Sequence, residues 1–513
     1  MAKMTLRERM NLYMDAGFPI LYLETFEEEK AIQIIKEAAT RRQIVEWNMR
    51  GLFYHDNPDL NMPQQALQEA LENFASPERM GNEKFAKKFR LDRRVLVLKD
   101  AQSKLEEPEI VAHLKYLAES MTASDGIENG NIVIISPVAK IPQELEHFIT
   151  ILSMDHLSVE EIKEIIMTFC DEQNVTVPHE ELLQELAFAL KGLPEVEIRN
   201  LLALSKARNV GGEITRADLS LIHDQKEQMV RKSGIMEMIK VTESINDIGG
   251  LDKLKAWLKR KARILKDIDA ATQYGVDIPK GVLIAGLPGC GKSLNAKAAA
   301  SLFDVPLLRM DMGRLMGKYV GESEQNLRRA ISLSEAISPC VLWIDEMEKA
   351  FAGIGGQGGG AEVTTRLFGS FLTWLQEKRG MTFVVATAND ITKLPPELLR
   401  KGRFDEIFYV GLPNTKEREQ IFTIHIGKRR RSDLRDIDVA KLAQRTEGYS
   451  GADIEGVVKD AIETAFTDNK SSLTTQTLLM AIDGTASLKE VMRDSIEKMS
   501  ETYRRNKFKN ASA

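Results

Sequence analysis

The chain has 513 residues and a formal net charge of −6, with 43% of residues hydrophobic and 28% charged. These are ordinary globular proportions, which exclude wholesale disorder and fibrous architectures, and the length calls for about three or four compact units rather than one core. The mild acidity gives no global footprint for nucleic acid, no run approaches the ~18 apolar residues of a membrane span, and the opening MAKMTLRERM is not followed by the apolar core of a secretory signal.

Cytosol or an organelle stroma is the expected location, with no membrane contact. In chain order, FPILYLET (18–25), RRVLVLKDA (93–101) and NIVIISPVAK (131–140) read as buried strands within a first α/β region, 1–155. Residues 156–225 read as its helical appendage, and 226–245 as a linker. HEELL (179–183) lacks the second histidine of a zinc protease motif. The basic stretches KLKAWLKRKARILK (253–266) and KRRRS (428–432) read as charge-laced helix faces or subunit contacts. Cys170, Cys290 and Cys340 show neither disulfide nor zinc-ligand spacing and read as buried small residues.

The segment GLPGCGKS (286–293) follows the apolar run GVLIA and precedes a helical pattern, LNAKAAASLF. Strand, glycine-rich loop and helix in that order turn backbone amides inward at a helix N-terminus, where an anion is stabilised. Gly286, Pro288, Gly289, Cys290, Gly291 and Leu294 supply that cradle. Lys292 is placed to reach the terminal phosphates of a nucleotide, and Ser293 to offer a hydroxyl to magnesium.

A second buried strand in CVLWIDEMEK (340–349) ends in two adjacent carboxylates. Asp345 is expected to hold the magnesium shell, and Glu346 to orient and activate the attacking water. A third strand, TFVVATAND (382–390), brings Asn389 to the same sheet edge, where doubly wound folds bind ligands. Arg400 and Arg403 follow on an exposed turn in LPPELLRKGRFDEIFYVGLP (394–413), placed to stabilise phosphoryl charge in a neighbouring subunit's site.

Taken together, these motifs resemble the AAA family of ATPases. DIGGLDKLK (247–255) is similar to the family's opening segment, whose backbone at Asp247, Ile248 and Gly249 would cradle adenine. His425, in IFTIHIG, stands where the family's lid contacts nucleotide, and GYSGADIEGVVKDA (448–461) is similar to the lid motif, with Gly451 and Ala452 near adenine. GRLMGKYVGESEQNLRRA (313–330) matches the place of a first pore loop, with Lys318, Tyr319 and Val320 as its gripping tip. GIGGQGGGAE (353–362) would be the second. Over the whole chain the resemblance extends to the AAA group of cyanobacteria, some algal plastids and other bacteria called hypothetical chloroplast frame forty-six.

The early strands echo the later ones in the same order: FPILYLET against GVLIAG, RRVLVLKDA against PCVLWIDEM, and NIVIISPVAK against TFVVATAND. The expected fold is therefore α/β, with tandem AAA modules, each a parallel sheet between helix layers plus a helical lid; the first is degenerate and the second active. The first has FEEEKA where a phosphate loop belongs, Lys99 and Asp100 where the paired acids belong, and Ser136 for the amide, so no nucleotide binding is expected there. An unrelated adaptor domain is the alternative. Residues 246–412 would form the catalytic domain, 413–485 its lid, and 486–513 a helix and frayed tail. The resemblance implies a magnesium-dependent ATPase, a homo-hexamer and an unknown protein client to remodel. An ATP-gated scaffold, or a nucleic-acid motor or loader, are the rival functions.

Overall fold

The computed structural model describes residues 4–512 apart from 26, 76–90, 123–129, 138, 140, 155–156, 210–211, 316–321, 351–358, 379 and 507. The chain divides into two compact units, Met1–Leu157 and Ser158–Ala513.

The first unit is built on a seven-stranded sheet: β1 (Ile20–Glu24), β2 (Gln43–Asn48), β3 (Gly51–Tyr54), β4 (Met62–Pro63), β5 (Arg94–Lys99), β6 (Asn131–Ser136) and β7 (Ile149–Ser153). The order is β4-β3-β2-β5-β6-β1-β7, parallel from β2 to β7, with β3 and β4 added antiparallel at one edge. Residues along β1 alternate between two buried clusters, Ile20 and Tyr22 on one face, Leu21 and Leu23 on the other. A strand covered by helices on both faces must be apolar at every position, which is why FPILYLET carries no polar alternation.

The second unit holds another seven-stranded sheet: β8 (Met236–Ile239), β9 (Gly281–Gly286), β10 (Leu307–Met310), β11 (Cys340–Ile344), β12 (Thr382–Ala388), β13 (Glu406–Val410) and β14 (Lys509–Asn510). Its order is β14-β13-β9-β12-β11-β10-β8, parallel except for β8. Five consecutive parallel strands thus have the same order in both units, with β7-β1-β6-β5-β2 matching β13-β9-β12-β11-β10. A local backbone feature is also shared. Asp100 after β5 and Glu346 after β11 are both left-handed, at φ 54° and φ 49°.

A four-helix lid, Thr415–Arg429, Val439–Arg445, Gly451–Thr467 and Thr475–Asp483, closes over its own cluster around Phe422, Leu442, Val458 and Leu478. Side chains start these helices where the sequence changes direction. Asn414 with Glu417, and Ser450 with Asp453, form reciprocal capping boxes.

Three segments differ from their expected roles. The helices Val159–Gln173, Glu180–Leu190, Glu195–Arg208 and Leu219–Lys232 belong to the second unit, not to an appendage of the first. The reason is packing: Val230 enters the core cluster of the second sheet, and a Cβ on Gly192 would lie 2.5 Å from the Ala336 carbonyl oxygen. The stretch 226–245 is not a bare linker, because it contains the end of the fourth helix and edge strand β8, antiparallel to β10. The final stretch is not frayed either. Helix Arg493–Arg505 stacks Tyr503 on Tyr409, with ring centroids 4.0 Å apart, and β14 then joins the sheet beside β13.

Candidate active site

The loop between β9 and helix Lys292–Phe303 turns sharply because Gly291, at φ 85°, caps the helix with no side-chain bond, leaving the first amides of the helix without a side-chain acceptor. Gly286 cannot be replaced, since a Cβ there would lie 2.0 Å from the carbonyl oxygen of Val410. The Lys292 ammonium is buried and donates to the carbonyl oxygens of Gly286 (3.0 Å) and Leu287 (2.7 Å). Burial draws its pKa down, while Cys290, Glu348, Asp345 and Glu346 act in the opposite sense.

Across the loop, Ser293 Oγ donates to Asp345 Oδ1 at 3.2 Å. Thr387 fixes this corner from the next strand. Its hydroxyl donates to Asp345 Oδ1 (2.5 Å) and accepts the Glu346 amide (3.0 Å). Asn389 Nδ2 donates to Glu346 Oε1 at 3.0 Å, and the Asn389 amide donates to buried Glu348 at 3.1 Å. Lys349 pairs with the other Glu346 oxygen and, as the largest influence, holds that carboxyl below its usual range.

A cavity of about 430 Å³ joins these groups to the lid. Its walls include Asp247, Ile248 and Gly249, the loop from Pro288 to Leu294, Asp345, Glu346, Asn389, His425, Gly451 and Ala452. All the expected phosphate-loop, metal, water and adenine positions except Gly286, which sits behind the loop, therefore line one space. The Asp247 side chain turns to Lys428 (2.7 Å) and the Ser244 amide, which lower its pKa to about 2.

The residues fit a magnesium nucleotide. His425 Nδ1 is buried with no protein partner, beside the apolar walls of Ile248, Ile421 and Ile424. The uncapped helix start and Lys292 suit a polyphosphate. Ser293 and Asp345 offer two hard oxygen donors, and among the described residues no cluster of three or more His, Cys, Asp or Glu is disposed to enclose a metal. That sparse set suits magnesium, which keeps waters and phosphate oxygens in its shell.

Arg400 and Arg403 do not line the cavity. Arg400 is exposed, and the Arg403 guanidinium donates to the Glu397 carbonyl oxygen. Lys318, Tyr319 and Val320 lie outside the described residues, as does most of 353–362. Sequence reasoning missed Thr387, Glu417, Ile421 and Ser512 on the cavity wall. Thr387, in ATAND, was within reach as a hydroxyl two residues before Asn389; the others are brought in by long-range packing that no local pattern reports. In the first unit, register from paired residues puts Pro137, not Ser136, at the position of Asn389, since Val95 pairs with Asn131 as Val341 pairs with Phe383.

A parallel sheet with a phosphate-binding loop, paired acids at the neighbouring strand end and a helical lid over the cleft is the architecture of a nucleotide-dependent ATPase module. Residues 282–412 match the ATPase family associated with various cellular activities, AAA, and 436–480 match the AAA+ lid domain. Residues 6–154 and 160–233 match the N-terminal and second domains of SpoVK-like AAA ATPases. The chain belongs to the AAA family of ATPases.

Among its relatives, the "uncharacterized AAA domain-containing protein ycf46" of Guillardia theta is 38% identical over 98% of this chain and 95% of the relative. The protein of the same name from Pyropia yezoensis is 34% identical over 99% and 100%. The proteasome-activating nucleotidase of Thermococcus onnurineus is 32% identical over 58% of this chain and 74% of its own length. No helix among the described residues is long and apolar enough to cross a membrane.

Proposed function

We propose that this chain is a magnesium-dependent ATPase acting as a homo-hexamer that remodels a protein client, in the cytoplasm or a plastid stroma. The observation that carries the ATPase reading is the convergence of Lys292, Ser293, Asp345, Glu346 and Asn389 on one cavity. Lys292 and the amides of residues 289–294 would hold the phosphates, and Ser293 and Asp345 the metal. Bound magnesium supplies charge neutralisation at the phosphate oxygens. Glu346 accepts a proton from water, and Asn389 orients its carboxylate through the 3.0 Å bond.

Arg400 and Arg403 are too far from their own cavity to line it, which supports a role in a neighbouring copy's site. Similarity to nucleotidases named for activating the proteasome supports a protein client over nucleic acid. The first unit is read as a degenerate copy of the same module, supported by the shared strand order and left-handed corner. It does not bind nucleotide on this reading, because only residues 25–27 separate β1 from helix Glu28–Ala38, against 287–291 in the second unit.

The test is light scattering and phosphate release with Glu346→Gln, with and without Mg-ATP. The reading expects a six-fold mass with nucleotide and lost turnover with retained binding. Unchanged turnover in that variant would remove Glu346 from its role, and a monomer under all conditions would remove the hexamer.

A further inference from the structure

Residues 509–512 make contacts that no phosphate-loop chemistry requires. Ala511 is fully buried, and both of its backbone groups are engaged. Its amide donates to the Tyr409 carbonyl oxygen (2.8 Å), and its own carbonyl oxygen accepts the amides of Lys253 (3.0 Å) and Leu254 (3.2 Å). Those amides open helix Asp252–Lys266, which begins after Leu251 at φ 58° with no side-chain cap. The missing cap is therefore supplied by main chain from nearly 260 residues away in sequence.

The helix so capped directly follows Asp247, Ile248 and Gly249, and the intervening turn is held from the lid. Gly250 donates to Gln420 (2.8 Å) and Leu251 to Glu417 (3.1 Å). On the other side, Lys509 and Asn510 pair with Phe408 and Tyr409 of β13, and Ser512 reaches the cavity wall beside Gly411 and Pro413.

We infer that residues 509–512 form a latch of the adenine-nucleotide site: Ala511 fixes the segment that faces the base, and Ser512 forms part of the wall. The inference rests on the ATP-binding reading. Its chemistry is positional, since a backbone carbonyl at a helix start sets where that helix, and the segment Asp247–Leu251 leading into it, can sit.

The experiment compares the full chain with one lacking residues 509–513, following binding of N-methylanthraniloyl-ADP by fluorescence and ATP turnover by phosphate release. Loss of the cap and wall weakens binding about tenfold, and KM for ATP rises by a similar factor while kcat changes less than about twofold. Equal Kd values in two folded proteins would overturn the latch. Should the deletion unfold the chain by exposing Tyr409, Ser512→Trp decides instead, because it leaves β14 and the cap in place and crowds only the wall. An unchanged Kd in that variant overturns the inference. A full chain that binds no adenine nucleotide removes the ATP reading and the latch together, whereas a full chain that binds as tightly as its variants removes the latch alone.

Discussion

At the edge of the first sheet a helix begins with Glu28 and a strand ends with Lys99; at the edge of the second a helix begins with Lys292 and a strand is followed by Asp345. Acid and base have exchanged places on the same strand order. In the first unit the pair is satisfied internally. Lys99 lies 3.0 Å from Glu28 and 3.4 Å from Glu46, and Glu46 further accepts from Asn48 and pairs with His55. Despite burial, which opposes it, these carboxylates hold the Lys99 pKa up. In the second unit, among the described residues, Lys292 is bonded only to carbonyl oxygens of its own loop, with no carboxylate in direct contact. One edge is self-neutralised, and the other presents a buried positive charge at a helix start, which is what an anion binds.

The strongest way to break the comparison is at Lys292 and Glu346. Lys292→Ala is expected to abolish detectable binding of fluorescent ADP, while Glu346→Gln keeps binding and slows phosphate release about 100-fold or more. The matching change in the first unit, Lys99→Met, is expected to leave nucleotide binding untouched and to destabilise that unit by about 1–3 kcal/mol, because Glu46 loses its cation while buried. Urea unfolding checks this, and Lys99→Arg, which keeps a cation beside Glu28 and Glu46, recovers part of the loss.

A smaller effect sharpens the second edge. Thr387→Val removes the hydroxyl shared by Asp345 and the Glu346 amide, and is expected to slow turnover about tenfold with binding preserved, as one lost bond to a charged group would. The smallest concerns Lys226, which lies in the second unit, away from the cavity wall, and whose burial lowers its pKa to about 8. The unfolded lysine titrates near 10.4, so the unfolded chain binds more protons between pH 8 and that value. Stability from this group therefore rises with pH through that window and is lowest below pH 8. Lys226→Met should raise the urea midpoint more at pH 7 than at pH 10.

Much of this was legible because it is local. The phosphate loop, the paired acids and Asn389 each sit at the end of an apolar run whose strand character is plain from composition, and the order of those runs carried the sheet. The allegiance of helices 159–232 was not legible, because it turns on Val230 and Gly192 meeting a sheet and helix far along the chain. Nor could the polar end KFKN (507–510) announce a strand, since two residues at a sheet edge need no apolar pattern; β13 and the neighbouring amides decide it.

The short connection after β1 has one more consequence, in terms of mutational distance. Single substitutions could put a lysine at position 28 or an acid at position 99, yet three residues, 25–27, are too few to wrap a chain of phosphates in the way proposed for 287–291. A phosphate loop there would need inserted residues with glycine conformations and the removal of the Lys99–Glu28 ion pair. On the reading of the first unit as a degenerate copy, stepwise substitution alone does not lead it back to nucleotide.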